Sequence, residues 1–193
     1  MLILASSSPR RKTLLKKVCE DFCVLPPDYD ERSLSLPPEA LALEESKMKA
    51  YCVFSSHPQD EVLSCDTIVV LHGKVLGKPK DEEEAISMLL SEQGQIQTVL
   101  SGYTYLREGK EISRTVATKV HFNPLTLSQI KEYVHAKKPL DKAGAYGIQD
   151  DYPLIQRIEG SFDNVMGLPT EDLIQHVKPF LRTKRSRLPP RRL

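Results

Sequence analysis

At 193 residues, with 40% hydrophobic and 27% charged side chains, the chain fits one domain, or two small lobes sharing a core, of an ordinary globular protein. No apolar run approaches the ~20 residues needed to cross a bilayer, and the N-terminus lacks a basic region followed by a long apolar stretch, so the expectation is a cytoplasmic protein without membrane contact. The formal charge of +1 conceals an asymmetry: Arg182, Lys184, Arg185, Arg187, Arg191 and Arg192 crowd the end of the chain, and without them the body is net acidic.

In chain order, Leu2-Ile3-Leu4-Ala5 reads as a buried strand. Ser8 then suits a helix cap and Pro9 the first helical position, with Leu14, Leu15, Val18 and Phe22 recurring at helical spacing. Pro26 to Arg32 reads as an extended loop, and a helix is predicted from about Glu39 to Phe54. Val62 to Leu71 reads as a strand that turns at His72-Gly73-Lys74 into Val75-Leu76, as a hairpin does. Asp81 with Glu84 opens a helix carrying Ala85, Ile86, Met88 and Leu89. Two longer strands follow, about Ile96–Leu106 and Ile112–Phe122, and Thr126 with Gln129 opens a capped helix to about Ala136. A glycine-containing loop at 143–147, a strand near Leu154–Ile158 and a helix capped by Thr170 and running to about Leu181 complete the body.

Sequence-adjacent strands in the middle favour antiparallel pairing, and strand-helix alternation favours crossovers, so the fold class is α/β: a mixed twisted sheet flanked by helices. We expect a single domain over residues 1–181. We expect residues 182–193 to be a basic tail without fixed structure, which has no aromatic residue to stack on bases and would touch nucleic acid only weakly.

Several side chains could carry chemistry. Ser8, Arg10 and Arg11 sit at a strand-turn-helix start, where free backbone donors and the helix dipole can hold a phosphate; the alternative is an ordinary capped helix with two solvated arginines. Asp66 lies in an otherwise apolar strand, so it is either a paired, functional carboxylate or a strand-start residue capping a turn. Lys78 and Lys49 could each reach a phosphate or be surface lysines, and Glu31 with Asp30 could be solvated or serve as oxygen ligands of a divalent ion. Gln149, after a loop with two glycines, offers the donor and acceptor that reading a nucleobase edge requires.

Absences narrow the chemistry further. The chain has neither a GxxxxGK[ST] nor a GxGxxG cradle, no clustered histidines and no GxSxG elbow. Cys19, Cys23, Cys52 and Cys65 fit no zinc-ribbon spacing and read as small apolar residues in a reducing compartment.

Four segments in order, LILASSSPRRKTLL at 2–15, CDTIVVLHGKVLGKPKD at 65–81, DKAGAYGIQ at 141–149 and GSFDNVMGLP at 160–169, closely resemble the Maf family of nucleotide pyrophosphatases. The resemblance spans nearly the whole chain before the tail. It implies a mixed α/β fold with a long cleft between two lobes, often dimeric. It also implies hydrolysis of the α–β phosphoanhydride of a nucleoside triphosphate with a divalent metal, Mg2+ or Mn2+. By the same resemblance Asp66 is the general base and a metal ligand, and Glu31 a second metal ligand. Ser8, Arg10, Arg11, Lys49 and Lys78 would bind substrate, with Arg10, Thr67 and Gln149 governing its choice. The intact DKAGAYGIQ resembles the branch acting on dTTP and UTP. The alternative is a non-catalytic nucleotide- or partner-binding regulator of septum formation. The chain departs from the family pattern at Glu45-Ser46, at Gln97 and at Asp150-Asp151-Tyr152.

Overall fold

The computed structural model describes residues 1–29 and 35–182; Asp30, Glu31 and the tail beyond Arg182 lie outside the described residues. Strands β1 (Leu2–Leu4), β2 (Phe22–Val24), β3 (Glu61–Leu71), β4 (Lys74–Leu76), β5 (Ile96–Arg107), β6 (Lys110–Phe122) and β7 (Ile155–Glu159) form one mixed sheet in the order β2-β1-β3-β5-β6-β7, with β4 paired to β3. β1 runs parallel to both β2 and β3, whereas β3, β5, β6 and β7 pair antiparallel in succession. Helix α1 (Pro9–Leu15) links β1 to β2, and α2 (Pro38–Ser56) leads into β3. A parallel pair needs such a crossover, while β3 turns tightly into β4 and β5 into β6. β1 is buried along its whole length, as expected of a strand between two parallel neighbours.

α2 lies flush on the sheet because its inner face is small. Ala42, Ser46 and Ala50 are fully buried at helical spacing, and Gly102 of β5 faces them. A methyl group at position 102 would sit 2.4 Å from the Ala42 carbonyl and the Leu43 amide. The Ser46 hydroxyl bonds to Thr104 at 2.8 Å, and Ser64 donates to the Ser46 carbonyl. The departure at Ser46 is therefore a buried polar stitch between helix and sheet.

Two apolar clusters dominate the core. One gathers Leu4, Leu15, Leu63, Tyr103, Leu168 and Leu173 around α1 and the C-terminal helices α5 (Phe162–Met166) and α6 (Thr170–His176). The other gathers Leu89, Val99, Phe122, Ile130, Tyr133 and Tyr146 beneath α3 (Glu82–Glu92) and α4 (Leu127–Lys137). The caps read from the sequence are present: the Asp81 carboxylate accepts the Glu84 amide at 2.8 Å, and Thr126 with Gln129 forms a capping box.

Three local expectations change. α1 stops at Leu15 because the Val18 and Cys19 amides both turn back to the Leu15 carbonyl at 2.9 Å, which places Phe22 on β2. The last helix ends at His176 and resumes only as a 3-10 turn over Lys178–Phe180, since Pro179 cannot continue an α-helix. Thr170 is not the cap of α6: Pro169 holds that position, and the Thr170 hydroxyl bonds to the Asp163 carboxylate. Helix α5 spans 5 residues, too short to show a period, and is capped by Ser161, whose oxygen accepts the Asn164 amide at 3.0 Å.

Candidate active site

A cleft of about 740 Å³ opens where β3 passes between the two apolar clusters. Ser8, Arg10, Arg11, Lys49, Asp66, Thr67, Lys78 and Gln149 all line it, although they come from α1, α2, β3, the segment after β4 and the loop before β7. Glu31 lies outside the described residues.

The two arginines hold different positions. Arg11 is anchored: its Nε donates to the Gly167 carbonyl at 2.9 Å, Nη2 to Thr67 Oγ1 at 3.3 Å and Nη1 to Ser6 Oγ at 3.5 Å. A guanidinium has five N–H groups in a rigid fork, so two remain for a ligand after these contacts. Gly167 can present its carbonyl because φ of +114° ends α5 abruptly there, a conformation other residues rarely adopt. Thr67 is in turn held by Ser101 at 2.8 Å. Arg10 instead reaches across the cleft to Asp141 at 3.2 Å, in a pair that stays open to solvent.

The cap of α1 consumes most of the donors that were expected to be free. The Ser8 amide bonds to Ser6 Oγ at 3.2 Å, Pro9 has no N–H, and the Arg11 amide bonds to Ser8 Oγ at 3.4 Å. Anion recognition here falls on side chains more than on the helix end.

Asp66 sits within β3, opposite Gly102 of β5, not at a strand start. Lys49 of α2 donates to its Oδ1 at 2.7 Å, and the two side chains are only 10% and 17% exposed. The close approach of α2 to Gly102 brings the helix near enough for this pair to form. A carboxylate this enclosed needs a cation or hydrogen-bond donors, and Lys49 supplies both.

The loop between α4 and β7 forms the opposite wall. Gly144 (φ +70°) and Ala145 (φ +58°) are both left-handed, and the Gly144 amide bonds to the Gly77 carbonyl at 3.1 Å, tying this loop to the segment that carries Lys78. Asp141 also accepts Lys142 Nζ at 3.0 Å. Burial pushes the Asp141 carboxyl up, but Lys142 and Arg10 outweigh it and hold the group below the usual carboxylate range. The departure at 150–152 is built in: Tyr133 donates to the Asp150 carboxylate at 2.7 Å and accepts the Gly147 amide at 3.0 Å, Asp151 adopts φ of +47°, and the Tyr152 hydroxyl bonds to the Gln129 carbonyl. Gln149 is exposed to the cleft mouth between these anchors.

Sequence reasoning missed Ser6, Lys142 and the Gly167 carbonyl. Ser6 and Lys142 stood inside segments already singled out, whereas the role of Gly167 depends on a contact 156 residues away in the chain. The GSFDNVMGLP segment works largely as a scaffold. Asp163 binds Lys17 at 2.7 Å, and the Asn164 amide reaches Val99 O, Val116 O and Thr118 Oγ1, which fixes α5 against the sheet beneath Gly167.

Among the described residues no group of three or more His, Cys, Asp or Glu side chains is placed to hold a metal ion. Lys49 engages one oxygen of Asp66, and a carboxylate carries lone pairs on both. A single carboxylate of this kind fits a hard cation that takes most of its remaining oxygens from phosphates and water, as Mg2+ commonly does.

Relatives are close in sequence. A dTTP/UTP pyrophosphatase of Carboxydothermus hydrogenoformans is 43% identical over 182 residues, covering 93% of this chain and 98% of that protein. A dTTP/UTP pyrophosphatase of Pyrococcus abyssi is 42% identical over 179 residues, covering 92% and 95%. The solved structure of the Staphylococcus aureus Ham1 protein overlays on 63% of this chain and 71% of that one, at 16% identity and a TM-score of 0.45. The family model "Maf-like protein" matches residues 1–180, and the chain belongs to that family.

Proposed function

We propose that this protein hydrolyses the α–β phosphoanhydride of dTTP and UTP, releasing the nucleoside monophosphate and pyrophosphate. The observation that carries the reading is one cleft lined together by the Lys49–Asp66 pair, by Arg10, Arg11 and Lys78, and by Gln149. The names borne by relatives at 40–43% identity support the substrate class.

Cleaving a phosphoanhydride chiefly requires positioning and neutralisation of developing charge. Arg10, Arg11 and Lys78 supply the neutralising charge. Arg11 does so from a fixed position, since Gly167, Thr67 and Ser6 set its fork before substrate arrives. Asp66 takes the proton of the attacking water, with Lys49 Nζ holding the carboxylate in place. When bound, a divalent cation on Asp66 and the phosphates would acidify that water and offset phosphate charge; Glu31 is a proposed second ligand. Gln149 reads the pyrimidine edge through its amide, and Thr67 sits beside Arg11 as a further determinant of choice.

The family resemblance also supports a homodimer, which light scattering in solution would test. A cytoplasmic location agrees with the four free cysteines and with the finding that no helix among the described residues is long and apolar enough to cross a membrane. We treat residues 1–181 as the catalytic domain and the tail as dispensable for turnover, with at most weak nucleic-acid contact. A panel of nucleoside triphosphates with Mg2+ or Mn2+, scored separately for pyrophosphate and orthophosphate, tests the proposal. Pyrophosphate release strongest with dTTP and UTP supports it; orthophosphate alone rejects the mechanism.

A further inference from the structure

One buried polar cluster has no part in the chemistry above. Glu92, the last residue of α3, is fully buried, and neither carboxyl oxygen has a hydrogen-bond partner. Gln97 of β5 is 1% exposed with both amide atoms unpartnered, and the Tyr146 hydroxyl is buried and unpartnered. Five unsatisfied polar atoms gathered in one interior are unusual, since nearly all buried polar groups are bonded.

The cluster stands directly behind the cleft wall. A methyl group on Gly144 would lie 2.8 Å from Glu92 Oε1 and 3.5 Å from the Tyr146 ring, so the carboxyl abuts the left-handed turn of the loop that ends at Gln149. Tyr146 and Gly147 line the cleft on the other side. The titratable groups facing Glu92 are Tyr146 from the loop and Tyr133 from α4; burial pushes both phenols far up, and a charge on Glu92 would push them further. Tyr133 in turn bonds Asp150 and the Gly147 amide. No basic side chain among the described residues offsets the burial of Glu92, which alone drives its carboxyl well above the usual carboxylate range. An ionised carboxylate in this setting would have no basic side chain beside it, whereas a neutral acid carries no charge and adds a further donor to those of Gln97 and Tyr146.

We propose that Glu92 is a positioning residue that works as a neutral acid, bracing the Gly144–Gln149 wall from behind through Gln97 and Tyr146 and so setting the nucleotide-facing surface of the cleft. The idea rests on the reading of this cleft as a nucleotide site. Small side-chain rotations let the Glu92 O–H donate to one neighbour while Gln97 and Tyr146 satisfy each other. Ionisation at alkaline pH removes the donor, puts charge against two phenols and loosens the wall.

Glu92→Gln keeps shape and a donor but cannot ionise. With dTTP as substrate across pH 6 to 10, wild-type KM should rise about 3- to 10-fold on the alkaline side, the size expected for losing one buried hydrogen bond, with kcat following the same pH profile in both proteins. The KM of Glu92→Gln should lack that rise. Equal alkaline rises in the two proteins, or a flat wild-type KM, overturn the proposal. Amide hydrogen exchange of residues 141–149, corrected for intrinsic rates, provides a readout independent of turnover. Protection should fall with pH in wild type and persist in Glu92→Gln; identical protection in both also overturns it. A wild-type protein without pyrophosphatase activity would sink the functional reading instead and leave the exchange experiment to decide the brace.

Discussion

Lys49 Nζ stands 2.7 Å from Asp66 Oδ1, and the two residues reach each other from a helix and a strand that have no reason in sequence to meet. The pair encloses the carboxylate while leaving it facing a cleft with four further basic side chains, Arg10, Arg11, Lys78 and Lys142. Asp66→Asn keeps an oxygen for Lys49 and removes the proton acceptor. The fold should survive with a small drop in melting temperature, since Lys49 loses its counterion but keeps its hydrogen bond, while kcat falls by about 10²–10⁴, the range of general base contributions. Lys49→Ala should lower both kcat and melting temperature, because it strands a buried charge. Circular dichroism melts and steady-state kinetics separate the two outcomes.

The anchored fork of Arg11 leads to a different expectation. Arg11→Lys preserves the charge but cannot span Gly167 O and Thr67 Oγ1 together. Its KM for dTTP should rise about tenfold, equivalent to ~1.4 kcal/mol. Arg10→Lys should cost less, since Arg10 holds a single solvent-exposed partner. Equal losses in the two variants would mean that the anchoring contacts do not matter for binding.

Asp141 pairs with Arg10, so under the proposed function it would compete with substrate phosphate for that guanidinium. Asp141→Asn should therefore lower KM by about 1.5- to 5-fold, the scale of an exposed ion pair. Lys142 and Arg10 hold the Asp141 carboxyl below its ordinary value against its partial burial. Its charge is thus fully present above the unfolded value of ~3.9 and is lost only as pH falls through the lower folded one. The ratio of mutant to wild-type KM should be constant from pH 5.5 to 8; a ratio that drifts with pH over that interval would point to another titrating group.

Gly102→Ala places a methyl group 2.4 Å from the backbone of α2. We expect a loss of about 1–3 kcal/mol from overpacking, read as a melting temperature lower by ~2–4 °C per kcal/mol, together with reduced kcat as Lys49 moves off Asp66. Gly77→Ala is a suitable control, since nothing lies within 4 Å of the added methyl and its backbone is not left-handed.

The sequence made some of this legible and hid the rest for physical reasons. Asp66 stood out because an acid interrupts an apolar strand, and the caps at Ser8, Asp81 and Thr126 were readable because capping is a contact between neighbours. The mixed character of the sheet followed from the alternation of strands and helices, whereas its strand order, with β2 at one edge, did not. Lys49 was ambiguous because its partner is chosen by the close packing of Ala42 on Gly102. Arg11 could not be told from Arg10 without Gly167, which lies at the other end of the chain. Glu92 was not singled out in the sequence, and only the packing of α3 against the glycine loop reveals it as buried.

The most direct test of the central claim is product identification by phosphorus NMR after dTTP is incubated with the wild-type protein and a divalent cation, with Asp66→Asn in parallel. The account predicts dTMP and pyrophosphate in equal amounts from the wild type, and in the same time at most about a hundredth as much from the variant. Formation of dTDP with orthophosphate, or equal turnover by Asp66→Asn, would contradict it.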